Sequence, residues 1–173
     1  MKPSDIEVRS VTIADLELLA SFRCATTAPW ETTVEQQIRG PLPLRYLGSP
    51  QRFDGRMLLG LDRNGALLVV GAHHIEPTMT PDVGYTEVIA VANDARGTLI
   101  ELPDGRDITL GAFMLLTIFK QMRKLGRHPR TFARIDRRNT RSLALCDRLG
   151  LHDEYPDPHD PTLVQRWGEL PEK

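Results

Sequence analysis

The tightest constraint in this chain is a strand–helix–strand succession in its second half. The run VGYTEVIAVAND, Val83 to Asp94, is apolar at nearly every position. A strand of this kind sits centrally in a sheet and is covered on both faces. A helical pattern follows from about Leu110 to Leu125, with Gly126 placed as its C′ residue. RTFARID, Arg130 to Asp136, is a further strand. A strand that returns through a helix to the same sheet lies parallel to its neighbour. The chain is therefore expected to be α/β (α+β), with a mixed central sheet and helices on both faces.

The other segments attach to that unit. RMLLGLDRNGALLVVGAHHIEP places two apolar runs around Asn64-Gly65, a hairpin dipeptide. Upstream, Ile6 to Val11 alternates like a short strand. Leu16, Leu19 and Ala20 give one helical stripe, and Trp30, Val34 and Ile38 give a second, stopped by Gly40-Pro41. Trp30 reads as a core residue. Pro41, Pro43, Gly48 and Pro50 predict an irregular segment. TLIELPDGRDI is either a small hairpin turning at Asp104-Gly105 or a loop. NTRSLALCDRLG is a short helix with Asn139 as N-cap and Gly150 beyond its end. LHDEY and TLVQRW are two C-terminal strands. The sheet is expected to be mixed and mostly antiparallel.

No internal repeat or linker divides the 173 residues, which fits a single domain over 1–173. With 22 Lys and Arg against 23 Asp and Glu, the net charge is −1. No global basic field makes nucleic acid the default partner. Cys24 and Cys146 lack metal-binding spacing and read as reduced thiols of a cytoplasmic protein. The N-terminal residues carry no apolar leader, and no run is long enough to span a bilayer. His73 and His74 are adjacent on a strand, so they face opposite ways, and no metal site is expected.

Two places carry candidate chemistry. The first is GRDITLGAFMLL. The opening N–H groups of a helix have no internal partner and sit at the positive end of its dipole, which suits a phosphate. Gly111 allows close approach, and Arg106 adds a charge. Thr109 is a good N-cap, and that role competes for the same N–H groups. A phosphate site and a plain cap both remain open. The second is Glu87, the carboxylate inside the apolar strand. Strict alternation would put Tyr85, Glu87, Ile89 and Val91 on one face and Thr86, Val88 and Ala90 on the other. Burial would raise the Glu87 pKa toward the range of a base for an ammonium group. The alternative is a carboxylate that is solvated or paired with an arginine. The basic stretch from Lys120 to Arg141 is a solvated surface, a phosphate-binding patch or an RNA contact, the last disfavoured by the near-zero net charge and the lack of stacking aromatics beside these arginines.

Taken in order, the Asn64-Gly65 hairpin, YTEVIAVAND, GRDITLGAFMLL and RIDRRNTRSLALCDRLGL resemble the GNAT superfamily of acyl-CoA-dependent N-acyltransferases. The resemblance runs from about Arg56 to Trp167. It implies a GNAT-like fold whose central strand splays at the cofactor site. It also implies transfer of an acetyl group from acetyl-CoA to a primary amine of a small molecule or protein. The loop Arg106-Asp107-Ile108-Thr109-Leu110-Gly111, with Ala112, would bind the pyrophosphate of coenzyme A. Backbone at Ile89 and Val91 would hold the pantetheine arm, and Asn139 would open the helix beside it. Glu87 would act as base. Cys146 stands where many relatives carry the tyrosine that protonates the leaving thiolate, with Tyr155 and Tyr85 as other donors. Trp30 and Glu31 would be allowed to border the acceptor pocket, and C-terminal strands would allow a homodimer. Other outcomes are a catalytically weak acyl-CoA-binding module and, less favoured, a toxin-like enzyme acetylating aminoacyl-tRNA. The chain departs from the pattern at Thr109, where the first glycine is usual, at Cys146, and at Leu151 in place of phenylalanine. Thr98 to Gly105 reads as an insertion, because Arg96-Gly97 already resembles the start of such a loop.

Overall fold

A computed structural model describes residues 1–48, 54–76, 83–125 and 130–170. The elements are β1 (Glu7–Ser10), α1 (Leu16–Ala20), α2 (Pro29–Arg39), α3 (Pro41–Gly48), β2 (Arg56–Leu61), β3 (Leu67–Glu76) and β4 (Val83–Val91). They continue with β5 (Leu99–Glu101), β6 (Asp107–Thr109), α4 (Leu110–Lys124), β7 (Arg130–Asp136), α5 (Thr140–Arg148), β8 (Asp153–Pro156) and β9 (Leu163–Glu169). Seven strands form one sheet in the order β1-β2-β3-β4-β7-β9-β8. The β4–β7 pair is parallel and its neighbours are antiparallel, as the crossover requires. Gly126 and Pro50 lie outside the described residues.

The hairpin between β2 and β3 forms at Asn64-Gly65. Asp62 accepts hydrogen bonds from the N–H groups of Asn64 and Ala66, each at 2.8 Å, and Gly65 takes the left-handed φ of 82° that the turn needs. TLIELPDGRDI resolves as the β5–β6 hairpin, with Gly105 at φ 80°.

Helix α4 packs its buried side, including Met114, Ile118 and Met122, against β3 and β4. It comes close because the sheet presents glycines there. A Cβ on Gly71 would lie 2.7 Å from Met114 Cγ, and one on Gly84 2.6 Å from Met122 Sδ. Side chains buried this fully contribute about 2 kcal/mol each.

Two expectations are corrected. The segment after Gly40 is not irregular: Pro41 to Gly48 is helical. Proline is tolerated in a first helical turn, where its missing N–H would have no partner anyway. Nor does β4 alternate strictly. Ala72 pairs with Val88 and His73 with Thr86, so Glu87 is the extra residue of a β-bulge. Past the bulge the parity reverses. Gly84 faces Met122 of α4, and Ile89 and Val91 face Gly111 at the start of α4. Glu87 points to the other side of the sheet, toward Tyr46.

The C-terminal packing is tightest where β9 passes under the end of α5. A Cβ on Gly168 would stand 2.1 Å from the Gly150 carbonyl oxygen. Gly168→Ala is expected to destabilise the fold by about 3 kcal/mol, read from denaturant unfolding. Gly48→Ala, with nothing within 4 Å of the new carbon, is the neutral control.

Candidate active site

The parallel pairing of β4 with β7 runs only from Gly84 opposite Thr131 to Thr86 opposite Ala133. Beyond that point the strands diverge, although β4 continues to Val91 and β7 to Asp136. Each keeps its ladder on the other side, β4 with β3 and β7 with β9. The inner edges of the wedge therefore carry backbone groups without a strand partner.

Two joined cavities fill the wedge. The smaller, about 410 Å³, lies between the parted strands and is lined by Glu87, Ile135 and Cys146 among others. The larger, about 980 Å³, opens at the N-terminus of α4. Trp30, Val34, Ile89, Asn139, Ser142 and Leu145 line both, so the space is continuous.

At the wide end, Leu110 and Gly111 are the first residues of α4, and their N–H groups have no partner within the helix. Thr109 caps the helix by accepting the Ala112 N–H at 3.3 Å. The cap uses the third N–H and leaves the first two uncommitted. Arg96, Arg141 and Arg148 border the same cavity. Arg96 is held to Glu31 at 3.0 Å and to the Cys24 carbonyl. Arg141 and Arg148 form no ion pair among the described residues.

At the narrow end, Glu87 is clasped by α3. The Tyr46 hydroxyl donates to it at 2.7 Å, Arg45 pairs with it, and His74 Nδ1 stands 3.7 Å away. The expected upward pKa shift is reversed. Burial does push the carboxyl up, but the neighbouring His74 ring and the hydrogen bonds from Tyr46 and Arg45 outweigh it and hold the pKa at about 2. Across the cleft, Arg134 of β7 makes a two-pronged pair with Asp157, at 2.6 and 2.7 Å. Asp157 also accepts the His159 and Asp160 N–H groups, which fastens the β8–β9 loop beside the wedge. Arg138 is gripped by Asp136 at 2.7 Å and lies over the Trp30 ring, 5.0 Å from its centroid.

Of the residues singled out from the sequence, Glu87, Ile89, Val91, Thr109, Leu110, Gly111, Asn139 and Cys146 border this one cleft. Asn139 caps α5 by accepting the Ser142 N–H at 3.1 Å. Cys146 is buried, and burial pushes its thiol up to about 11. Arg106, Ile108, Ala112 and Tyr155 are not brought to it. Arg106 sits out on the β5–β6 turn and pairs with Asp104 at 2.7 Å. Ile108 packs within that hairpin opposite Ile100, and Ala112 is buried at the helix start. Tyr155 is 51% exposed on the edge strand β8. Trp30, expected in the core, is a half-buried cleft residue. Arg96 is the residue that the motif reading displaced. The Arg96-Gly97 dipeptide was its signal, and folding the insertion out as a hairpin returns it to the helix start. Arg141 belongs to the basic stretch, whereas nothing in the sequence marks Arg148.

The depressed Glu87 pKa has a stability signature. Its contribution is complete above the unfolded carboxyl pKa of about 4.3 and is lost as pH falls toward 2. Glu87→Gln should therefore be less stable than the parent at pH 7. The gap should close between about pH 4.5 and 2, as read from urea unfolding at a series of pH values.

No family model and no curated protein matches this sequence. Solved structures do match the fold. PaiA N-acetyltransferase of Thermoplasma acidophilum, in complex with coenzyme A, superposes with TM-score 0.68 at 14% identity, over 95% of this chain and 98% of that one. A Desulfovibrio desulfuricans protein assigned to the GNAT acetyltransferases gives TM-score 0.66 at 14% identity, over 96% and 99%. A point mutant of the Vibrio cholerae spermidine N-acetyltransferase SpeG gives 0.62 at 10% identity, over 96% and 95%. The superpositions extend over nearly the whole of each chain, and this chain has the GNAT acetyltransferase fold.

Proposed function

We propose that the protein is an acyl-CoA-dependent N-acyltransferase that moves an acetyl group from acetyl-CoA to a primary amine. The single observation that carries this reading is the open wedge between β4 and β7, which runs without a break to the free N–H groups of Leu110 and Gly111. A diphosphate fits at those N–H groups, with Arg141 and Arg148 as cations not already committed to a carboxylate. The unpaired edge of β4 from Val91 inward offers backbone partners to an amide-bearing arm. Fold neighbours, one in complex with coenzyme A and one a spermidine N-acetyltransferase, support the donor and acceptor classes by analogy of fold.

The acceptor amine enters the smaller cavity beside Trp30 and Glu87. With its carboxyl held at about 2, Glu87 is a poor proton acceptor. Its part is to remain an anion that orients an incoming ammonium, and the proton passes to water. Holding both reactants in one wedge supplies the rate advantage of proximity. Cys146, at about 11, is a weaker acid than an ordinary thiol at about 8.5, so the thiolate leaves without its help and Cys146 serves as wall.

Calorimetry with acetyl-CoA tests the reading. The parent should bind, and Gly111→Glu, which sets a carboxylate where the diphosphate goes, should bind at least about tenfold more weakly. Free-thiol release should appear with a panel of primary amines. Cys146→Ala should keep kcat within about threefold. No heat from the parent, or equal binding by Gly111→Glu, overturns the proposal.

A further inference from the structure

The apex of the wedge holds a polar group with nothing to bond. Thr86 forms the last β4–β7 pair and is 5% exposed. Its Oγ1 has no hydrogen-bond partner among the described residues, yet the residue borders the smaller cavity. Ala133, Leu115 and Cys146 surround that end of the cavity. Directly opposite in register stands His73, whose Nε2 is 3.2 Å from Gln121 Oε1 of α4 and whose Nδ1 likewise has no partner among the described residues. Leaving a buried hydroxyl unsatisfied costs about 1–3 kcal/mol. A valine would fill the same volume without that cost, so the hydroxyl calls for a partner that arrives from the cleft.

We infer that the Thr86 hydroxyl donates a hydrogen bond to the carbonyl oxygen of the bound thioester. The inference rests on the acyl-CoA reading above. Gly111 lies beside Val91, at the far end of the same strand edge. An arm anchored at the helix start and running along β4 therefore reaches Thr86 with its acyl end. The thioester carbonyl is the acceptor that an acetyl group brings to that hydroxyl. When the amine nitrogen attacks, the new C–N bond forms and the carbonyl electron pair moves onto oxygen. That charge is where the hydroxyl proton points. The pair then returns, the C–S bond breaks, sulfur leaves as thiolate, and the proton on nitrogen goes to water. Thr86 is thereby a catalytic residue whose contribution grows as charge develops.

The experiment compares the parent with Thr86→Val and Thr86→Ser by two readouts. In turnover, Thr86→Val should lose about 10²-fold in kcat, with Thr86→Ser restoring most of it and KM for acetyl-CoA rising by no more than about tenfold. In binding, the parent should prefer acetyl-CoA to S-ethyl-CoA, a thioether lacking the carbonyl, by roughly tenfold. Thr86→Val should abolish that preference while melting no lower than the parent, since it removes only an unsatisfied hydroxyl. A Thr86→Val variant with parental kcat, or with the preference intact, overturns the assignment and leaves the acyltransferase reading standing. A parent that binds neither compound overturns both.

Discussion

Two neighbouring strands of this sheet stop pairing after three residues, and the rest of the molecule is arranged so that they can. An unpaired strand edge inside a protein is costly unless something else fixes the strand. Here β4 stays bonded to β3 as far as Val69–Val91, and β7 to β9 from Arg130 to Asp136. Neither strand depends on the other beyond the apex. The bulge at Glu87 falls immediately after the last shared pair, and a bulge bends and twists its strand. Helix α4, drawn onto the sheet by Gly71 and Gly84, then sets its N-terminus beside the opened edge.

Charge is distributed along the wedge in a consistent way. Its floor and walls carry charges already answered within the protein: Glu87 by Arg45, Arg134 by Asp157, Asp136 by Arg138. The rim near α4 carries Arg141 and Arg148, which no carboxylate among the described residues answers. Paired charges in a partly buried space fix geometry more than they attract ligands. Unanswered cations at a mouth draw anions toward it. On the proposed reading, the mouth recruits the polyanionic donor and the interior holds its shape around the reaction.

The topology was largely legible because it rests on local patterns. Asn64-Gly65 announced a hairpin, the apolar Val83–Asp94 run announced a central strand, and a helix between two strands forced a parallel pair. What escaped was set by tertiary partners. The prolines at 41 and 43 looked like breakers, yet both fall in a first helical turn. Those prolines hide α3, and with it Arg45 and Tyr46, so burial sets the expected direction of the Glu87 pKa shift while the arginine pairing that prevails stands only as the alternative. The bulge was invisible because it adds no unusual residue. Arg106 matched the spacing of a motif, but the hairpin carries it away from the helix start and leaves Arg96 there instead. Thr86 gave no signal, since an unsatisfied hydroxyl exists only relative to its surroundings.

The chain has two tryptophans, and the fold puts them in unlike places. Trp167 is stacked on Phe132, their centroids 4.6 Å apart, in a ring ladder that continues through Tyr85 to His74. Trp30 lines both cavities under the Arg138 guanidinium. Molecules entering the wedge alter the surroundings of one indole and leave the other as an internal reference. The protein thus carries a built-in optical reporter, in which quenching or a spectral shift of its ultraviolet emission registers occupancy without any label.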